Sequence, residues 1–137
     1  MTIDLKAMLH RVVAEMFDEN FTVEDTTAGD DPSRPAVRVI SHLEEGRTAI
    51  IRASYVWMEA FIPELNVRAS SSPDEDDVEQ DKEDELRGIC LVMRAYLRGE
   101  GRIEQRRRWF RRGTVPVLII DVDGHQWRLG RNWGSVS

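Results

Sequence analysis

A chain of 137 residues with 41% hydrophobic and 32% charged content has the size and composition of one globular domain, long enough to bury a core of its own. No run approaches the ~18 to 20 consecutive apolar residues of a membrane-spanning helix, MTIDLKAML lacks the pattern of a secretory signal, and Cys90 stands alone, which excludes a disulfide framework and a cysteine zinc site. The net charge of -6 is unevenly spread: Asp74 to Glu85 holds nine carboxylates and one lysine, so the rest of the chain balances to +2.

The first predicted element is a helix. Leu5, Met8, Leu9, Val12, Val13, Met16 and Phe17 recur at helical spacing, with Thr2 in the N-cap position. A short alternating run from Phe21 to Asp25 follows, then a surface loop, TTAGDDPSRP. Ala36 to Ser41 and Thr48 to Trp57 are rich in strand formers and flank the turn HLEEG, which predicts a hairpin. Its continuation, Val56 to Ile62 and Leu65 to Ala69, is expected to be one strand interrupted by Pro63, because proline lacks the N–H of a central ladder position.

Ser72-Pro73-Asp74-Glu75 is a helix start: a serine cap, proline at the first helical position, and acids at the positive end of the helix. The predicted helix runs from Pro73 to Arg98. Its apolar stripe, Leu86, Ile89, Cys90, Met93, Tyr96 and Leu97, anchors only the second half, and Gly99 and Gly101 supply the stop. Three strands are expected after it: Ile103 to Arg111, Val115 to Val122 covered on both faces, and His125 to Arg131 beyond the turn Asp123-Gly124. The fold expectation is a single α+β domain over residues 1–137, a mostly antiparallel sheet packed against two helices in the order α-β-β-β-α-β-β-β.

Arg102 to Arg112 reverses the charge of the acidic run, with six arginines against Glu104. A strand returning antiparallel from Gly101 travels ~20 Å in six to eight residues, level with the helix near Glu83 to Glu85. Internal neutralisation of the acidic half-helix is therefore the favoured reading of these arginines, ahead of partner contact. The alternative is a nucleic-acid groove in which Arg106 and Arg108 take phosphates while Trp109 and Phe110 stack on bases. Trp57, Trp109 and Trp127 are expected in the core. Trp133 is either a lid on that core or an interface anchor.

VLIIDVDG, Val117 to Gly124, resembles the first motif of the haloacid-dehalogenase phosphotransferases, a likeness that implies a nucleophile at Asp121 and an acid/base at Asp123. His125 stands in place of that motif's threonine, and the later lysine and acidic motifs have no counterpart. A hairpin turn explains the same residues without chemistry. His10, His42 and His125 show no local ligand spacing, the acidic run lacks the glycine of a calcium loop, and Cys90 lies on an apolar stripe that suppresses thiol reactivity.

The expected function is that of a small, soluble, bacterial, cytoplasmic, non-catalytic protein-binding module without cofactor or metal. In size, acidity and α+β composition the chain is similar to bacterial immunity proteins and secretion chaperones. The candidate partner-binding residues are Asp74, Asp76, Asp77, Glu79, Asp81, Arg106, Arg108, Trp109 and Trp133, with a basic protein as the partner steered by the acidic helix. The alternatives are nucleic-acid binding through 102–112 and an enzyme whose site assembles only in three dimensions.

Overall fold

The computed structural model describes residues 4–26, 35–54, 57–71, 79–107, 114–130 and 134–136. Within them the order is α1 (Leu5–Met16), β1 (Phe21–Thr26), β2 (Ala36–Ser41), β3 (Thr48–Ala53), β4 (Met58–Ile62), β5 (Val67–Ser71), α2 (Glu79–Leu97), β6 (Arg102–Arg107), β7 (Thr114–Val122), β8 (His125–Leu129) and β9 (Gly134–Val136). The α+β class with antiparallel pairing is as expected. The strands divide into two sheets, however, β1-β2-β3-β4-β5 and β6-β7-β8-β9, and five strands rather than three precede α2.

The extra strands come from two places. The alternating run at Phe21 is a full strand, paired in register from Phe21 with Ser41 to Thr26 with Ala36. The segment expected to be one strand interrupted at Pro63 folds back on itself: β4 and β5 pair from Met58 with Ser71 to Ile62 with Val67. Pro63 to Asn66 form the turn, closed by bonds from Leu65 and Asn66 N–H to the Ile62 carbonyl, with Asn66 at φ 55°. Proline thus marks a reversal of direction, since a turn demands no ladder donor there. The strand expected through Trp57 likewise ends at Ala53, and Trp57 is half-buried just before β4.

α1 is capped by Asp4, whose carboxylate accepts from Ala7 N–H at 3.0 Å; Thr2, the cap expected from the sequence, lies outside the described residues. Aspartate is the stronger acceptor at the positive helix end. The predicted start of α2 at Ser72 and Pro73 lies outside the described residues. Its end is a Schellman turn: Gly99 N–H bonds to Tyr96 C=O and Glu100 N–H to Ala95 C=O, both at 3.0 Å, with Gly99 at φ 95°.

One face of the first sheet carries Val37, Val39, Ala49, Ile51, Ala53, Met58, Ala60, Ile62, Val67 and Ala69, all buried. Successive strand residues alternate in direction, so these form a continuous apolar floor. α2 lies over β3, β4 and β5, and α1 lies beside α2 with its apolar face on β3. The two helices run in the same direction, since Arg11 meets Glu83, Glu15 meets Arg87 and Met16 meets Arg94. Leu118, Ile120 and Leu129 of the second sheet join the same hydrophobic cluster. A bond from Arg68 N–H in β5 to Gly130 C=O at 2.9 Å ties the sheets together. As expected, Leu118 to Ile120 are buried in succession, the sign of a strand covered on both faces.

Candidate functional site

Helical register sorts the charges at the start of α2. Asp81, Asp84 and Glu85 are exposed, whereas Lys82, Glu83 and Leu86 turn inward. Glu83 is held from both sides by guanidinium groups, Arg11 of α1 and Arg87 one turn further along α2. Arg87 also donates to Glu15 at 2.6 Å and to Asp84 at 2.9 Å, and these carboxylates hold it above its ordinary pKa against the opposing pull of desolvation. Glu83, which the spacing argument placed opposite the arginine strand, is therefore answered by α1. The strand that follows α2 leads away from it into a second sheet, whose β7, not β6, makes the main contact with α2 among the described residues. The helix that lies alongside begins far back in the chain, with Glu15 lying 72 residues before Arg87, and no signal between the two adjacent charge extremes points to it.

Of the sequence-predicted candidates, Asp81 is exposed on the first described turns of α2. Glu79 opens the described part of that helix, and Arg106 of β6 is the register partner of Val115 of β7. Asp74, Asp76, Asp77, Arg108, Trp109 and Trp133 lie outside the described residues. Trp127 is partly buried against the core.

A second acidic stretch went unread in the sequence. Glu15 to Asp25 contains Glu15, Asp18, Glu19, Glu24 and Asp25 with no lysine or arginine, and all five are exposed around the end of α1 and along β1. The missed signal was a run of one charge sign diluted by Met16, Phe17, Phe21 and Val23, which belong to the fold. Asp25 bonds to His10 of α1 at 2.6 Å, and Thr22 of β1 is joined to His42.

Asp121 and Asp123, the residues of the phosphotransferase-like octapeptide, are both exposed beside the β7–β8 turn, where Asp123 and Gly124 take φ 50° and 80°. Paired positive φ values are the requirement of a two-residue hairpin turn, which accounts for the Asp-Gly. Asp121 and Asp123 edge an open groove of about 190 Å³ between α2 and the end of β7, lined also by Leu91, Arg94, Ala95, Arg98, Glu100 and Val122. That is smaller than the ~300 Å³ at which small-molecule sites begin. Among the described residues no three His, Cys, Asp or Glu side chains are placed to hold a metal ion, and no helix is long and apolar enough to cross a membrane. Burial pushes the Cys90 thiol up to about 12, so it stays protonated and unreactive at neutral pH. Comparison of the chain with protein-family models, with curated proteins and with solved structures finds no match.

Proposed function

We propose that this chain is a small, non-catalytic, cytoplasmic protein-binding module, of the immunity-protein or chaperone kind, that engages a basic partner through the acidic first half of α2. The observation that carries the reading is the sorting of charge on that helix. Lys82, Glu83 and Leu86 fix its rotation from below, so Asp81, Asp84 and Glu85 are displayed on a rigid scaffold rather than on a disordered tail. Exposed Glu15, Asp18 and Glu19 extend the same sign to the neighbouring α1 end. A surface of one sign raises the encounter rate with an oppositely charged partner and does so less as salt is added.

The test is affinity capture of the partner by the native chain and by a variant with Asp81, Asp84 and Glu85 of α2 reversed to lysine, both shown to be folded by circular dichroism. The expected result is a basic protein recovered by the first and lost by the second, with capture by the native chain weakening between 50 and 300 mM salt, an expectation of steering over about one Debye length. Equal recovery by both chains overturns the reading.

A further inference from the structure

The five-stranded sheet has two edges, and they differ. β5 is closed by the second sheet through the Arg68 to Gly130 bond and its packing on β9, whereas β1 has β2 on one side and no described strand on the other. An open edge presents a row of backbone N–H and C=O groups that accept a further strand. We propose that β1 takes up an extended basic segment of the partner as a sixth strand of this sheet. The inference rests on the partner being basic, as proposed above, and adds where and how it is gripped.

Three features of β1 lead there. It contains no proline and pairs with β2 without a bulge over its six residues, so nothing in its backbone blocks a neighbour. Val23 is 41% exposed although its register partner Val39 is fully buried, so the apolar floor under the helices runs out to the edge and stops there uncovered. An added strand extends that floor by placing an apolar residue beside Val23. On the opposite face of β1, Glu24 is exposed, and Asp18 and Glu19 precede the strand. The strand that fits alternates apolar residues facing Val23 with lysine or arginine facing Glu24.

The same charges decide which strands are refused. Two copies of β1 laid antiparallel about Glu24 set carboxylate against carboxylate, which disfavours pairing between two such edges. Among the described strands the other competitor is β6, which has no described strand beyond it and carries Arg102 and an Ile103 that is 45% exposed.

The probe is a fluorescein-labelled nine-residue peptide of alternating lysine and valine, with a counterpart N-methylated at every residue, so that neither of its edges keeps a donor. Methylation removes the ladder donors and leaves charge and side chains in place, so it separates strand addition from simple attraction. Binding is followed by anisotropy on the full-length chain, with amide exchange read over 21–26. The expected result is binding of the unmodified peptide, at least tenfold weaker binding of the methylated one, and slowed exchange in β1. A tenfold loss is also expected in the Val23→Lys, Glu24→Lys double variant, and no loss in Ile103→Lys.

Equal affinity of the two peptides, or no binding of either, overturns the proposal even if the double variant fails to fold. So does concentration-dependent self-association, seen by light scattering and abolished both by the β1 double variant and by Ile103→Lys, because β6 of a second copy then occupies the β1 edge. A natural partner lost on reversing the α2 acids but retained by the β1 double variant overturns the strand proposal alone and leaves the acidic-helix reading standing.

Discussion

Cys90 and Tyr96 sit on the buried stripe of α2, and both are acids whose neutral form the fold prefers. Burial raises the Cys90 thiol. Burial also raises the Tyr96 phenol, reinforced by the 2.7 Å hydrogen bond its O–H donates to the Glu64 carboxylate. A group whose pKa is raised by folding contributes its full stabilisation below its unfolded pKa, about 9 for the thiol and 10 for the phenol, and loses it as pH rises toward the folded value. The unfolding free energy from urea denaturation is therefore expected to fall above about pH 9, by up to ~1.4 kcal/mol per pH unit for each group titrating only in the unfolded chain. Cys90→Ala should flatten the first part of that limb. A chromogenic disulfide reagent at pH 8 should label no thiol in the native protein and one in urea; prompt labelling of the native protein contradicts the buried placement. Ser41 is a second residue with more partners than its type suggests. Its hydroxyl donates to Leu97 C=O at 2.6 Å and accepts from Leu43 and Glu44 N–H at 3.1 Å, tying the β2–β3 loop to the end of α2. Ser41→Ala leaves a buried carbonyl and two amides short of a partner, and a loss of ~1 to 3 kcal/mol in urea denaturation is expected.

The contact between α1 and α2 rests on apolar packing with one charged cluster set into it. Glu83 is almost wholly buried between Arg11 and Arg87, so its bonds are charge-assisted and poorly screened. Glu83→Gln keeps the shape and removes the charge, and should cost ~1.5 to 3 kcal/mol. The loss should persist at 0.5 M salt. Asp25→Asn weakens the exposed bond to His10 and should cost under ~1 kcal/mol, a loss that fades with salt when the measurement is made at about pH 5, where an ordinary imidazole carries its charge. If the two variants respond alike to salt, Glu83 is not sheltered as described. The helices themselves were legible because 3.6-residue periodicity is local: the stripes from Leu5 to Phe17 and from Leu86 to Leu97 are the residues found buried, apart from the partly exposed Met16. The hairpin turn at Asp123-Gly124 was legible for the same reason. Pro63 misled because a proline inside an apolar run reads equally as an interrupted strand and as a turn, and the cross-strand pairing that chooses between them is not local. β9 carries only Gly-Ser-Val, too short to show alternation. In the candidate site, the density of acids at Asp74 to Glu85 announced an exposed surface, but which carboxylates turn inward depended on the docking of α1, which no local pattern encodes.

At the scale of the molecule, the two sheets are joined, among the described residues, by the Arg68 to Gly130 backbone bond and by a shared core. Leu118, Ile120 and Leu129 pack into the cluster that holds Met8, Val37, Ile51, Met58 and Met93, and α2 lies against strands of both sheets. A sheet that completes its apolar face only on elements of another cannot retain that face alone, because exposing it forfeits ~25 cal/mol for each Å² of apolar surface. The two sheets are therefore expected to unfold in one transition, although β6 to β9 form a contiguous meander that a reader of topology alone would separate. Ile120→Ala tests this. The substitution removes three heavy atoms from a fully packed site and should cost ~2 to 5 kcal/mol. The informative measurement is amide exchange in β3 and β4 of the first sheet, far from residue 120 in sequence. Faster exchange there by the factor that global destabilisation predicts, with near- and far-ultraviolet dichroism losing signal at one urea concentration, is the expected result. Unchanged protection in β3 and β4, with exchange accelerated only in β6 to β8, would show two independently unfolding units and would detach the acidic helix from the second sheet as a single binding platform.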